Sequence, residues 1–340
     1  MRRPAAEAAN RPPAEAEPGP LAVGPVLAEP GERAEGRLPV LSLADGTEIS
    51  LPVCLINGAR PGRTLYLQAV SDGDELNGLG VIREILRELR PEDLSGRVIA
   101  VPVVNWSGFQ AHQHTNPLDG KKLNRCFPGK RHGSASERIA YTLLHRAVLQ
   151  ADLVLDLHQG SVRPMIDEVR VRVGATHRLH PQCLELARIF GVGYLLDERG
   201  PRGQLARVAP DRGIPAIDPE LGGCHGWDVG SIAKGVRGVR NVLRHYGFLP
   251  GEPELPEAQW LVRRLETVRA RHGGLVDYRM SLYDRVEAGD LLAEVTDLFG
   301  NRRELIKAPV SGIFWSRAVY PTAAGGAGIA WIDVNPERLG

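Results

Sequence analysis

The sequence predicts an α/β protein: a central sheet, mostly parallel or mixed, with helices on both faces, followed by a small barrel-like all-β domain. Three observations carry this. From residue 64 onward, apolar runs of strand length alternate with stretches whose apolar residues recur at helical spacing. The alternation stops at "FLPGEPELPEAQ", a Pro- and Glu-rich joint. Beyond it only short extended runs appear, parted by Gly and Pro.

A chain of 340 residues suits one large domain and a smaller one. The expected boundaries are a disordered tail over 1–30, the α/β domain over 31–252 and the β domain over 257–340. The N-terminal "MRRPAAEAANRPPAEAEPGPLAVGP" begins with arginines but lacks the apolar core of a secretory signal, and its Ala/Glu/Pro bias is that of a disordered tail.

Next, "GRLPVLSLADGTEISLPVCLING" predicts a hairpin turning at Asp45-Gly46. "TLYLQAV" (64–70) predicts a buried strand and "LGVIREILRELR" (79–90) the helix after it. "GRVIAVPVVN" (96–105) is another buried strand. The stretch from Trp106 to about Ser134 has no periodicity and is rich in His, Asn, Pro and Gly; a loop that long is usually functional or disordered. "SERIAYTLLHRAVLQ" (136–150) predicts a helix capped by Ser136. "ADLVLDLHQG" (151–160) predicts a strand with a polar end. Then come a helix in "PQCLELARIFG", a strand and its exit in "IPAIDPELGG", and a helix in "DVGSIAKGVRGVRNVLRHYG". "GGLVDYR", "DLLAEVTD", "KAPVSGIFW" and "IAWIDV" are the strands of the β domain.

Composition excludes several classes. A net charge of +1 gives no electrostatic ground for binding nucleic acid or an anionic membrane. No apolar run approaches the ~20 residues of a membrane helix. Cys54, Cys126, Cys183 and Cys224 are scattered, which argues against a disulfide framework or a cysteine-based zinc site. The expectation is a cytoplasmic protein acting on a small molecule, with a β domain through which copies could form a homo-oligomer.

In open α/β sheets ligands bind beyond the carboxyl ends of the strands. Three polar clusters fall at such ends: 71–78, 156–160 and 218–223. The first, "SDGDELNG", puts three carboxylates in four residues. Alone it is a helix cap, with Asp72 or Asp74 capping. Asp72 and Glu75 also lie one helical turn apart, on one side. Asp156 and His158, two apart on a strand, share a face. His158 facing the same crevice would complete a three-ligand metal site with a fourth position for water, with Asp156 orienting a ligand from behind. Alone, His158 is a strand-end histidine with a hydrogen-bond partner. Arg125, beside Asn124 in the long loop, offers a donor fork that matches a carboxylate, or makes a surface ion pair. Glu220, in "IDPELGG", is placed to take a proton from an activated water, or is a solvated loop acid.

With "DGDELNG", "NPLDGKKLNRCFPG", "ADLVLDLHQG" and "PAIDPELGG" in that order, the chain resembles the succinylglutamate desuccinylase/aspartoacylase family, within the zinc carboxypeptidase-like fold. The likeness spans roughly residues 32 to 335 and includes "EAGDLLAEVTDLFGNRRELIKAPVSGIF", similar to the family's C-terminal domain. It implies Glu75 and His158 as zinc ligands, Asn124 and Arg125 as the pair that holds a substrate carboxylate, and Glu220 as the general base. In the family's His-Gly-x-Glu motif the histidine position is here Asp72. An aspartate oxygen stands two bonds from Cβ, as imidazole Nδ1 does, so reach is kept, and carboxylate is an accepted zinc donor. Two carboxylates cancel the charge of the ion and weaken its Lewis acidity, and harder oxygen donors admit Mn²⁺ or Fe²⁺ besides Zn²⁺.

A second departure is "AHQHTNPLDG", where relatives often carry an arginine that polarises the scissile carbonyl. His112 or His114 stands there, as an oxyanion donor, as a compensating metal ligand, or as a polar loop residue with no catalytic task. The resemblance implies a metal-dependent amidohydrolase that deacylates an N-acyl amino acid or related small amine carrying a carboxylate. Two rival readings stand beside it. One is a carboxypeptidase of the same fold. The other is a silent binding relative that lost its metal with the histidine at position 72.

Overall fold

The computed structural model describes residues 19–223 and 226–339; most of the expected tail, and Cys224, lie outside that range. Order begins earlier than the sequence suggested. Strands β1 (Leu21–Val23) and β2 (Val26–Ala28) pair antiparallel inside the segment expected to be disordered. Leu21, Val23, Val26 and Ala28 are buried against Leu38 and Leu51, and the buried Asn57 amide donates to Ala28 C=O at 3.0 Å. The Pro/Ala-rich composition of the flanking residues hid a short alternating pattern that burial stabilises.

Strands β3 (Glu32–Ser42) and β4 (Glu48–Asn57) form the expected hairpin. They are followed by β5 (Arg60–Ala69), β6 (Ser95–Val101), β7 (Leu153–Leu157), β8 (Glu168–Val171), β9 (Tyr194–Asp197), β10 (Ala216–Glu220) and β11 (Gln259–Val262). With the edge strand Glu337–Leu339 they build one ten-stranded mixed sheet, ordered β3-β4-β6-β5-β7-β10-β8-β9-β11 and then that edge strand. Strands β6, β5, β7 and β10 run parallel, whereas β8 is antiparallel to β10.

The helices are α1 (Asn77–Glu88), α2 (Trp106–Ala111), α3 (Ala135–Arg146), α4 (His180–Phe190), α5 (Leu205–Asp211) and α6 (Val229–His245). Alternate strand residues feed two cores. Leu65, Leu67, Leu153 and Leu155 pack with Ile82 of α1, Leu186 of α4 and Val239 of α6. Tyr66 and Val154 pack on the other face with Leu143 of α3 and Ala209 of α5. Burial on both faces explains why these strands read as continuous apolar runs.

Helix α3 has its N-cap two residues before Ser136. Ser134 is its N-cap, and its backbone N–H donates to Glu137 Oε2 at 3.0 Å. Ser136 lies inside the first turn, where Asp119 accepts from its N–H at 2.8 Å and from its hydroxyl at 2.9 Å. The "NPLDG" turn thus adds Asp119 as the acceptor for Ser136, beside the Ser134 cap.

Beyond β11 the chain forms two four-stranded antiparallel sheets, over a core that includes Val276, Leu292, Phe314 and Ile332. The expected joint at 250–257 does not separate two independent sheets, since β11 and Glu337–Leu339 both complete the large one. The β domain docks onto the segment after β7. Ile166 N–H donates to Trp315 C=O at 3.0 Å. The Tyr283 hydroxyl donates to Asp167 Oδ2 at 2.7 Å and accepts from Asp167 N–H at 2.8 Å.

Candidate metal and active site

Strands β5, β7 and β10 are adjacent and parallel, so their carboxyl ends open on one edge of the sheet. At the exit of β5, Val70 adopts φ 59°, a left-handed conformation rare for a β-branched residue. Its carbonyl is held by Asn105 N–H at 2.9 Å. This bend starts the turn that carries residues 72–75 to the end of β7. Gly73 passes so close to α2 that a Cβ there would lie 2.2 Å from the Gly108 backbone, so no larger residue fits between Asp72 and Asp74. The helix-cap reading of this turn fails: the N-cap of α1 is Leu76, whose side chain makes no capping hydrogen bond. Asp72, Asp74 and Glu75 are nonetheless all buried.

These groups converge. Asp72, Glu75 and His158 each present a donor atom within 4.8 Å of the others, as do Asp74, Glu75 and His114. Glu75 Oε2 lies 2.8 Å from His158 Nδ1 and accepts from Gln159 N–H at 3.2 Å. His158 Nε2 faces Asp156 Oδ2 at 3.3 Å. Asp156 Oδ1 in turn accepts from Gln68 Nε2 at 2.8 Å and from the Ser71 hydroxyl at 3.3 Å. A carboxylate behind an imidazole fixes its tautomer and leaves the other ring nitrogen free to bind a cation.

Of the two loop histidines, His112 is exposed and forms the left-handed C-cap of α2. His114 reaches the cluster: its Nδ1 lies 3.0 Å from Asp74 Oδ1 and 3.2 Å from the Ser161 hydroxyl, and its Nε2 lies 3.6 Å from Asp72 Oδ2. Among the described residues, His114 Nε2 and Asp72 Oδ1 are buried atoms with no hydrogen-bond partner. Orphaned donors and acceptors cost free energy unless something satisfies them. Each of the two triads, Asp72–Glu75–His158 and Asp74–Glu75–His114, offers two carboxylates and one imidazole, a donor set suited to a divalent first-row metal.

The electrostatics agree. Burial, reinforced by the Asp72 charge, pushes the Glu75 carboxyl up to about 8. Burial opposes charge on His158, but Asp156, Asp218 and Glu75 outweigh it and raise the imidazole well above its ordinary value. His114 is raised likewise: burial opposes its charge, and the Asp74 hydrogen bond with the Asp72 and Glu75 charges prevails. Such a pocket retains protons until a cation replaces them.

Glu220 is buried at the end of β10, next to β7, where His158 N–H donates to Pro219 C=O at 2.8 Å and Leu221 N–H to His158 C=O at 2.9 Å. Its Oε1 accepts from Arg170 Nη1 at 2.5 Å. Burial raises the Glu220 carboxyl above its ordinary value although Arg170 pulls it down. Asn124 is buried with Nδ2 at 3.1 Å from His158 Nε2. Arg125 is exposed beside it, with Nη1 donating to Asn124 C=O at 2.5 Å. The structure thus gathers Asp72, Glu75, His114, Asn124 and His158, sets buried Glu220 on the strand beside His158 with its carboxylate paired to Arg170, and leaves Arg125 exposed.

Sequence reasoning missed the residues that hold these loops together. Asn77, fully buried, donates through Nδ2 to Leu221 C=O at 2.9 Å and accepts through Oδ1 from Asp228 N–H at 2.8 Å. Its own N–H donates to Gln159 Oε1 at 2.5 Å. It ties the exits of β5, β7 and β10 to the start of α6. Arg170 was missed because no local pattern marks a buried cation on a strand.

Comparison with known proteins adds the following. A family model described as the succinylglutamate desuccinylase/aspartoacylase catalytic domain matches residues 61–246, from β5 through α6. The N-alpha-acetyl-L-2,4-diaminobutyric acid deacetylase of Halomonas elongata is 31% identical over 305 residues, 86% of this chain and 88% of that one. A succinylglutamate desuccinylase/aspartoacylase from Rhodobacter sphaeroides has a similar structure, with TM-score 0.80, 28% identity, and 89% of this chain and 96% of that one covered. The product-bound ectoine utilization protein EutE (DoeB) of Ruegeria pomeroyi superposes with TM-score 0.82 at 26% identity, over 94% and 99% of the two chains.

Proposed function

The chain belongs to the succinylglutamate desuccinylase/aspartoacylase family, and from that premise we propose that it uses a divalent metal ion to remove the acyl group from a small N-acylated amino acid. It is a deacylase acting on carbon–nitrogen bonds other than peptide bonds. The observation that carries the metal reading is the convergence of buried Asp72, Glu75 and His158 donor atoms within 4.8 Å at the ends of neighbouring strands.

Asp72, Glu75 and His158 would hold the ion, Zn²⁺ or, given the oxygen-rich donor set, Mn²⁺ or Fe²⁺. When bound, it supplies Lewis-acid polarisation of the acyl carbonyl and acidifies a water. Glu220 takes the proton of the attacking water and delivers it to the leaving amine; its raised affinity for a proton suits both halves of that transfer. Arg170 holds the carboxylate of Glu220 in place. Arg125, with five donors in a rigid fork, anchors the substrate carboxylate, and Asn124 links it to His158. Asp156, braced by Gln68 and Ser71, orients the imidazole.

The test is Glu220→Gln assayed on N-acyl amino acids and on dipeptides. It should retain bound metal and lose about 100- to 10,000-fold in turnover, the usual share of a general base. Wild-type-like turnover would remove Glu220 from the mechanism, and faster cleavage of dipeptides than of N-acyl amino acids would favour a peptidase.

A further inference from the structure

We infer that His114 is a fourth protein ligand of the ion, a histidine brought in from the long loop to offset the aspartate at position 72. This rests on the metal site proposed for Asp72, Glu75 and His158 and deepens it.

The ring has two nitrogens with different surroundings. Nδ1 lies 3.0 Å from Asp74 Oδ1 and 3.2 Å from the Ser161 hydroxyl. Nε2 has no hydrogen-bond partner among the described residues and lies 3.6 Å from Asp72 Oδ2. A ligating histidine donates its remote N–H to a carboxylate and turns its other nitrogen to the metal. Asp74 plays that part for His114 as Asp156 does for His158, whose Nε2 stands 3.3 Å from Asp156 Oδ2. The 3.6 Å between unpartnered His114 Nε2 and Asp72 Oδ2 is too long for a hydrogen bond and close to the spacing of two ligands on one ion, and the other Asp72 oxygen, Oδ1, is itself a buried atom without a partner among the described residues. The same geometry argues against an oxyanion role, because the Nδ1 proton is committed to Asp74.

Two imidazoles and two carboxylates, together with the reacting water, require at least five-coordination. That moves the preference from tetrahedral Zn²⁺ towards Mn²⁺, Fe²⁺ or Co²⁺. Asp74, Glu75 and His114 also lie within 4.8 Å of one another, so the competing arrangement is a second ion bridged by Glu75.

The experiment is titration of the full-length protein with Co²⁺, read by isothermal calorimetry and by proton NMR of the paramagnetically shifted region. One equivalent should bind. Two exchangeable imidazole N–H signals should appear, from His158 Nε2–H and His114 Nδ1–H. His114→Phe should lose one of the two signals. Its Co²⁺ affinity should fall by at least about 100-fold, since losing an outer partner alone costs about 10- to 100-fold. Asp74→Asn, which keeps the ring, should weaken binding by about 10- to 100-fold. A single exchangeable signal in the wild-type protein, or unchanged affinity in His114→Phe, would overturn the role of His114 and leave the three-residue site standing. Two equivalents would overturn it in favour of the bridged pair. Wild-type protein that binds no Co²⁺ would sink both inferences together.

Discussion

Glu75 Oε2 and His158 Nδ1, from the exits of two neighbouring parallel strands, lie 2.8 Å apart in a buried site. Without a cation, such a pair is held together by a proton. The Glu75 carboxyl, pushed up to about 8, is largely protonated at neutral pH. Metal binding must displace that proton. Affinity should therefore rise with pH between 6 and 8, by about tenfold per pH unit for each proton released. Calorimetric titration in buffers of different ionisation enthalpy measures the release. Affinity independent of pH between 6 and 8 would contradict the assignment.

The same shift bears on stability. Glu75 has a raised folded-state value, so the folded metal-free protein binds more protons than the unfolded chain between about 4.5 and 8. Stability from this group is present below 4.5 and is lost as pH rises towards 8. His158, also raised, acts in the same direction. Thermal unfolding of chelated protein should thus show a melting temperature that falls from pH 5 to pH 8. Added Mn²⁺ or Zn²⁺ should flatten that fall, because the ion replaces the protons.

Arg170 lies between two buried acids, with Nη1 on Glu220 and Nε on Glu168. Arg170→Leu removes the cation and leaves both carboxylates facing an apolar side chain. Loss of one partner of a buried pair costs about 3–5 kcal/mol. Urea unfolding should register a loss of that size. The pH profile of any residual activity should shift upward, since the cation no longer lowers the proton affinity of Glu220.

Asn77 links three strand exits. Asn77→Ala would leave the buried Leu221 C=O without its partner, at about 1–3 kcal/mol, while the Asp228 N–H, on an exposed residue, can turn to water. Denaturant unfolding should report that destabilisation. A change under 0.5 kcal/mol, the ordinary scatter of a surface substitution, would mean that the loops are held by other contacts.

Much of this architecture was legible in the sequence because the physics is local. Strands β5, β6 and β7 announce themselves as apolar runs since both faces are buried, and α1 and α6 by apolar residues at helical spacing. The convergence of Glu75 and His158 could be read from their positions at strand ends, given the rule for open α/β sheets. What escaped was long-range. The β1–β2 pair survives in a Pro/Ala-rich stretch only because β3 and β4 cover it. Helix α3 starts at Ser134 because Glu137 returns to it and Asp119, 17 residues upstream of Ser136, occupies the next donors. The choice between His112 and His114 turned on a loop conformation that no spacing reveals. In the fold His112 caps α2 in the left-handed region and His114 meets the acids.

The central claim is that the buried acid–imidazole cluster holds one divalent ion on which hydrolysis depends. Elemental analysis of protein purified without chelator, paired with an N-acyl amino acid assay before and after metal removal, tests it most directly. The expected result is about one equivalent of a first-row metal per chain, activity lost on chelation and restored by Zn²⁺, Mn²⁺ or Fe²⁺, and neither metal nor activity in Glu75→Ala. Full activity in metal-free protein would contradict it.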